Sequence, residues 1–196
     1  MKHFVYFSAN AVTSGKALSK YTDGGLMKAG RMDIAIHSFI QGIFLSHGVR
    51  EDVKFHFVFY GMPDPPKHIE ISVKENLDVS KKDVGTLIKK ILYKYRQGEK
   101  TEVLPGCFVE KKSFLKVIEE LSKENEIFLL DKKGEDIRKV EIPKNCVFVL
   151  GDQDGFPKKE LNRLKSTSTP VSIGNKMCFA SQTVAVVNNE LDYRNI

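Results

Sequence analysis

Three short apolar runs in the last third of the chain constrain its fold more than any other feature. They are Glu126-Ile-Phe-Leu-Leu-Asp131, Val147-Phe-Val-Leu-Gly-Asp152 and Pro170-Val-Ser-Ile-Gly174. Each run stops at a Gly or an Asp, as buried parallel strands commonly do where an α/β sheet meets its ligand. Neither G-x-G-x-x-G nor G-x-x-x-x-G-K-[ST] occurs in the sequence. A nucleotide-like ligand would therefore be held by a different geometry from that of the common phosphate loops.

Along the rest of the chain, segments with strand character alternate with segments of helical periodicity, which predicts an α/β class. The predicted strands are residues 4–8, 54–60 and 69–73, in addition to the three C-terminal runs. The predicted helices are residues 32–47, 80–95, 113–121, 157–164 and 180–193. The Gly-containing basic stretch 14–31 and the segment 97–107 are predicted loops. We expect one domain, 1–196, with a lobe boundary at 123–125.

Charge, cysteine usage and hydropathy narrow the class of protein. No apolar run approaches the roughly 20 residues that span a bilayer, and residues 3–7 look like a strand rather than a signal peptide. The three cysteines, Cys107, Cys146 and Cys178, lack C-x-x-C spacing. They predict a reducing, cytoplasmic setting without a disulfide framework or a zinc site. The formal net charge of +6 favours an anionic partner.

Several short blocks, taken in order, resemble one family across nearly the whole chain. They are Gly30-Arg-Met-Asp33, Phe44-Leu-Ser-His47 with Arg50-Glu-Asp-Val53, Tyr60-Gly-Met-Pro-Asp-Pro-Pro66, Leu150-Gly-Asp152 with Gly155, Ser172-Ile-Gly174, and Asn188-Asn-Glu-Leu-Asp192. With these blocks at matching spacing, the chain resembles the archaeal tRNA pseudouridine N1-methyltransferases of the SPOUT class.

The resemblance implies a fold and an activity that spacing does not show. The fold would be an α/β parallel sheet with a C-terminal trefoil knot and helices on both faces, an exception to the rule against threaded chains. Residues 1–125 would face RNA and residues 126–196 would form the knot and hold S-adenosylmethionine. A homodimer would methylate N1 of the pseudouridine at position 54, in the T-loop of tRNA, without a metal.

Two alternatives remain open. One is the same chemistry on a pseudouridine of ribosomal RNA. The other is a non-catalytic RNA-binding module, because the chain has Gln153 and Asn188-Asn189 where the family commonly has histidine.

The resemblance also assigns site residues. Glycines at strand ends let a backbone approach a ligand closely, and apolar neighbours can wall an adenine ring. The expected cofactor-binding residues are Leu130, Gly151, Asp152, Ser172, Ile173, Gly174, Asn175, Lys176, Met177 and Cys178. Transfer to a ring nitrogen also invites a general base, for which Asp33, Asp64 and Asp152 are equal candidates.

RNA contacts are expected where positive charge meets a helix start. Arg31 precedes the helix predicted from residue 32, and a guanidinium there grips phosphate oxygens well. Lys20 and Lys28 lie in the same basic stretch. A second basic face consists of Lys81, Lys82, Lys89, Lys90, Lys94 and Arg96 and has two readings, an RNA contact or a solvated helix face. His37 and His47 on a helix and His56 on a strand are expected to be structural.

Overall fold

The computed structural model describes residues 1–21, 25–73 and 79–196. The strands are β1 Lys2–Ser8, β2 Phe44–Leu45, β3 Gly48–Val49, β4 Val53–Phe59, β5 Lys67–Ser72, β6 Thr101–Leu104, β7 Cys107–Glu110, β8 Glu126–Asp136, β9 Cys146–Gly151 and β10 Thr169–Ser172. The α-helices are α1 Gly15–Ser19, α2 Met32–Ile43, α3 Val84–Tyr93, α4 Phe114–Leu121, α5 Lys158–Lys165 and α6 Ala180–Tyr193. Short 3₁₀ turns cover Leu26–Lys28 and Lys81–Asp83.

Among the described residues, eight strands form one sheet in the order β10-β8-β9-β1-β4-β5-β7-β6. The pairs from β10 to β4 are parallel, and β5, β7 and β6 continue the sheet in antiparallel fashion. The carboxyl ends of the parallel strands therefore meet at one edge, which we call the carboxyl edge. This is where α/β sheets bind ligands, and the predicted α/β class is confirmed.

Helices cover both faces of the sheet because the central strands are apolar on both sides. On β1, Phe4 and Tyr6 belong to a core shared with α2, α3 and α6. Val5 and Phe7, which point the other way, belong to a second core with Phe114 of α4. Strands from 1–125 and from 126–196 are neighbours in the sheet, since β1 pairs with β9. The trefoil knot and the two lobes stay predictions.

Three predicted boundaries were wrong. The helix predicted for 32–47 ends at Ile43, because the β2–β3 hairpin follows and places His47 in its turn. The basic stretch 14–31 contains α1, whose first turn is capped by Ser14, the hydroxyl of which accepts a hydrogen bond from the N–H of Ala17. Asp23 and Gly24 of that stretch lie outside the described residues. The loop predicted for 97–107 contains β6, which pairs with β7 across a turn where Gly106 has φ +77°.

The C-terminal helix is confirmed although its 183–187 segment has strand composition. Val184, Val187 and Leu191 are fully buried in the core shared with α2. Packing therefore overrides local propensity. Gly42 of α2 lets this helix lie close to the sheet, since an added Cβ would lie 2.8 Å from the ring of Phe55 on β4. None of the helices in the described part of the chain is long and apolar enough to cross a membrane.

Candidate functional site

The carboxyl edge carries a cleft of about 570 Å³ between the ends of β8 and β9 and the start of α6. We call it the cofactor cleft, after the ligand expected from the sequence. Its apolar walls include Leu129, Leu150 and Phe156, and Ile34 of α2 closes one side. A volume of this size lies within the range of small-molecule sites. A smaller recess of about 70 Å³ adjoins it and extends to the end of β10.

Nearly all the residues expected to bind a cofactor line these two hollows. Gly151 and Asp152 line the cleft, while Leu130, Met177 and Cys178 border both hollows. The recess adds Ser172, Ile173, Gly174 and Lys176. Asn175 is exposed in the same loop, outside the lining. Folding therefore brings together three segments that lie 20 or more residues apart in the sequence.

The cofactor cleft favours a positively charged ligand. Its lining contains Asp131, Asp152 and Asp154 against Lys132 alone. Asp131 is ion-paired with Lys165 at 2.8 Å, and a hydrogen bond from that ammonium is the main reason its pKa is lowered. Carboxylates near an apolar slot attract a cation more strongly than they would in water.

Asp152 differs from the other two base candidates because it is buried, with 8% of its surface exposed. The Ser8 hydroxyl donates to its Oδ2 at 2.6 Å, and the N–H of Asp154 donates to its Oδ1 at 2.9 Å. Burial raises the pKa of Asp152, although these hydrogen bonds oppose the shift. A carboxylate with a raised pKa is a better proton acceptor near neutral pH.

The other two candidates are engaged by cations. Lys67 and Lys111 each approach a carboxylate oxygen of Asp64 at 2.5 Å, and their hydrogen bonds lower its pKa. Asp33 accepts two hydrogen bonds from the Arg31 guanidinium, at 3.0 and 3.1 Å. Both carboxylates are therefore committed to ion pairs, which leaves Asp152 as the candidate best suited to accept a proton.

The residues expected to contact RNA lie at a second cleft on the same edge, which we call the basic cleft. Its volume is about 530 Å³, and Lys16, Lys20 and Lys28 line it together with Met62 and Pro63. Within the described residues, none of the three lysines forms an ion pair. All three are exposed, and a cluster of exposed positive charges attracts an anionic partner.

Arg31 lies next to Gly30 of the basic cleft but not in its lining. Its backbone is left-handed, with φ 59°, a conformation that is uncommon for a non-glycine residue. Its side chain is paired with Asp33.

Sequence reasoning missed the contacts that join the two clefts. Asn10 lines the basic cleft, and its amide donates to Asp154 of the cofactor cleft at 2.8 Å. Ser8 and Asp152 form a second link. Each pair is 144 residues apart in the chain, so no local pattern could have revealed it.

The two departures from the family pattern have distinct surroundings. Gln153 lines the cofactor cleft and donates to Asp154 at 3.0 Å. Asn188 is buried and donates to the backbone carbonyls of Gln41 and Gly42 at 3.0 and 3.3 Å. Asn188 therefore ties α6 to α2 instead of reaching either cleft.

The whole chain, residues 1–196, matches a family model described as "Putative SAM-dependent RNA methyltransferase". It is 33% identical to a tRNA (pseudouridine(54)-N(1))-methyltransferase of Thermococcus kodakarensis, covering 98% of this chain and 99% of that protein. It is 34% identical to a protein of the same name from Methanocella arvoryzae, covering 99% and 100%. Its fold is similar to that of Archaeoglobus fulgidus Nep1 bound to S-adenosylhomocysteine, with a TM-score of 0.61, 13% identity and coverage of 100% and 99%.

Proposed function

Since this chain belongs to the S-adenosylmethionine-dependent RNA methyltransferase family, we propose that it methylates N1 of the pseudouridine at position 54 of tRNA. One observation carries the proposal. A cation-favouring cleft with a buried carboxylate lies beside a lysine-lined cleft, and side-chain hydrogen bonds join the two. Such an arrangement can hold a sulfonium cofactor and an RNA strand at the same edge of the sheet.

The residues of the cofactor cleft fit S-adenosylmethionine. Apolar side chains such as Leu130 and Leu150 suit the flat adenine ring, while the carboxylates suit the positive sulfonium. At Gly151, an added Cβ would lie only 3.0 Å from the Cα of Gly155, so glycine lets these two segments of the cleft lining lie close together. When bound, the cofactor supplies an activated methyl group. The chain's task is then to align the nitrogen with that group.

We assign proton removal to Asp152. N1 of pseudouridine carries a hydrogen that must leave as the new N–CH3 bond forms. The Asp152 carboxylate lines the cofactor cleft and is the one base candidate without a cationic partner among the described residues. It would take this proton directly or through a water molecule.

We assign the basic cleft and Arg31 to the RNA backbone. Lys16, Lys20 and Lys28 are exposed cations around one hollow, and Arg31 stands beside it at the start of α2. Phosphate contacts of this kind hold an RNA in position without reading its sequence. Uracil recognition would then fall to the groups around Asp152.

A homodimer is also part of the proposal, and the surface of α6 bears on where its interface would lie. The stripe Val184, Val187 and Leu191 is buried inside the chain and cannot form an interface. Instead, Phe179 at the N-terminal cap of α6 and Val186 and Tyr193 on the helix are 62%, 37% and 85% exposed, at a spacing of seven residues. A seven-residue apolar repeat is typical of a helix that packs against another helix. The cytoplasm, where tRNA resides, is the proposed location.

Two tRNA transcripts, one with pseudouridine and one with uridine at position 54, test the reaction. The first should gain one methyl group at N1, and the second none, because a carbon at the equivalent position offers no nucleophile. Equal methylation of both transcripts would refute the proposed substrate. Methylation of neither, with transfer to a ribosomal RNA fragment, would favour the ribosomal alternative. Cofactor binding without transfer to any RNA would favour the binding module.

A further inference from the structure

Ser8 occupies the junction between the two clefts. It ends β1 and is fully buried. Its hydroxyl oxygen accepts hydrogen bonds from the N–H of Ala11 at 3.0 Å and the N–H of Asn10 at 3.3 Å. A serine hydroxyl has a single proton. With two N–H groups directed at its oxygen, that proton is committed to Asp152, 2.6 Å away.

The segment that Ser8 holds is itself tightly confined. An added Cβ at Gly30 would lie 1.8 Å from the carbonyl oxygen of Asn10, and one at Gly61 would lie 2.2 Å from the same atom. The N–H of Gly61 also donates to the carbonyl of Ala11 at 3.0 Å. The two N–H donors therefore have little freedom to move, so the direction of the Ser8 hydroxyl is fixed by the backbone.

We propose that Ser8 is a positioning residue for methyl transfer, which aligns the Asp152 carboxylate and anchors the backbone that lines the basic cleft. This inference rests on the proposed function, because it assumes that Asp152 accepts the N1 proton. Ser8 itself is not one of the residues that line either cleft. It acts through Asp152.

The hydrogen bond from Ser8 opposes the effect of burial on Asp152. Burial raises the pKa of this carboxyl, and the Ser8 hydroxyl is the main group that lowers it. Removal of the hydroxyl should raise the pKa further, because a hydrogen bond to a charged group favours the ionised form.

Ser8→Ala is the direct test, with Ser38→Ala as the matched control. Ser38 is also fully buried, but its hydroxyl donates to the carbonyl of Ile34 at 2.7 Å and not to Asp152. Single-turnover methyl transfer should be measured against pH for both variants. The acidic limb of the profile should move up by about one unit or more in Ser8→Ala and stay in place in Ser38→Ala. Affinity for S-adenosylmethionine should change less than a few-fold.

A second measurement separates this inference from the proposed function. Carbon NMR of the Asp152 carboxyl in the free protein reports its titration without any RNA. Ser8→Cys, which keeps the side-chain shape and a weaker donor, should shift that titration upward by a smaller amount. An unmoved titration and an unmoved acidic limb would overturn the role of Ser8. If the titration of Asp152 shifts in the Ser8 variants but the parent protein methylates no RNA, the proposed function is refuted and the contact between Ser8 and Asp152 is not.

Discussion

The Nδ1 atom of His56 lies 3.0 Å from the Nε2 atom of His68. This contact is the centre of a buried ladder across four neighbouring strands. His3 Nδ1 lies 2.9 Å from His56 Nε2, and His68 Nδ1 lies 3.0 Å from a carboxylate oxygen of Glu110. Burial opposes the ionised form of Glu110, but hydrogen bonds from His68 and Lys112 lower its pKa to about 2. Because the carboxylate only accepts, Nδ1 of His68 donates to it, and the rest of the ladder can be completed with Nδ1 of His56 donating to His68 and Nδ1 of His3 donating to His56.

The ladder predicts that acid destabilises the fold. Burial is the main cause that lowers the pKa of His3 to about 4 and that of His56 well below 6.5, and nearby Lys54 adds to both shifts. Unfolding therefore takes up protons between pH 6.5 and pH 4, so stability is present above that window and is lost as pH falls through it. Between pH 7.5 and pH 5, the shifted pKa of His3 alone should lower the free energy of unfolding by about 2 kcal/mol.

Urea denaturation between pH 5 and pH 7.5 checks this prediction. His3→Gln should flatten the dependence of unfolding free energy on pH by about one proton's slope. His37→Gln is the matched control, since His37 is exposed on α2 and should leave the slope close to that of the parent. An unchanged slope in His3→Gln would contradict the ladder.

Cofactor binding should be visible as thermal stabilisation. Ligand at a hundredfold excess over its dissociation constant adds about 2.7 kcal/mol to the unfolding free energy. S-adenosylmethionine should therefore raise the melting temperature clearly. Gly174→Val should abolish the rise, because Gly174 has φ +143° at the recess beside the cofactor cleft. Gly98→Val supplies the control, with a similar backbone problem at φ +86° and no neighbouring atoms within 4 Å. Equal losses in both variants would point to instability instead of the site.

Substitution of Arg31 should weaken the binding of RNA and leave the affinity for the cofactor nearly unchanged. Arg31→Ala should weaken tRNA binding by about one to two decades, the usual effect of losing a charge-assisted contact, with cofactor affinity within a few-fold. Arg31→Gly should weaken RNA binding equally but fold more stably than Arg31→Ala by about 1 kcal/mol, because glycine relieves the left-handed backbone. Filter binding and urea denaturation measure the two effects. Collapse of cofactor binding would place Arg31 in the cofactor site.

The basic face of α3 offers a sharp comparison. Lys94 is exposed at the C-terminal cap of this helix, and Lys20 is exposed at the basic cleft. Lys20→Ala should lower the salt dependence of tRNA binding by roughly one counterion, whereas Lys94→Ala should leave it unchanged if that face is only solvated. Equal losses of slope would extend the RNA surface to α3.

The exposed stripe on α6 predicts the oligomeric state. Light scattering should give twice the monomer mass for the parent protein. The double substitution Val186→Lys and Tyr193→Lys should yield a monomer, because two charges would face the partner helix. Met62→Lys serves as the control, since Met62 is 72% exposed at the basic cleft. A parent protein that is monomeric and fully active would refute the dimer.

The sequence by itself determined the parallel strands of the fold and the residues at which three of them end. Runs such as 147–152 are apolar at successive positions up to the closing Gly and Asp. This pattern is typical of a strand that is buried on both faces. The glycines and aspartates that end these runs mark the carboxyl edge before any coordinates are known. The strand β6 inside the predicted loop 97–107 was missed because it is short. Pairing with β7 stabilises this strand more than its own composition does.

Only the tertiary structure decided which of the three carboxylates lacks a cationic partner among the described residues and which hydrogen bonds join the two clefts. The sequence gives no reason to prefer Asp33, Asp64 or Asp152 as the base. What separates them is the partner that each carboxylate meets in the folded chain. The Ser8–Asp152 contact and the histidine ladder likewise join residues on separate strands. Sequence periodicity reports which face of its own element a residue occupies. It does not report which distant side chain lies on that same face. The Ser8–Asp152 contact and the histidine ladder therefore form only when the strands pair in the sheet.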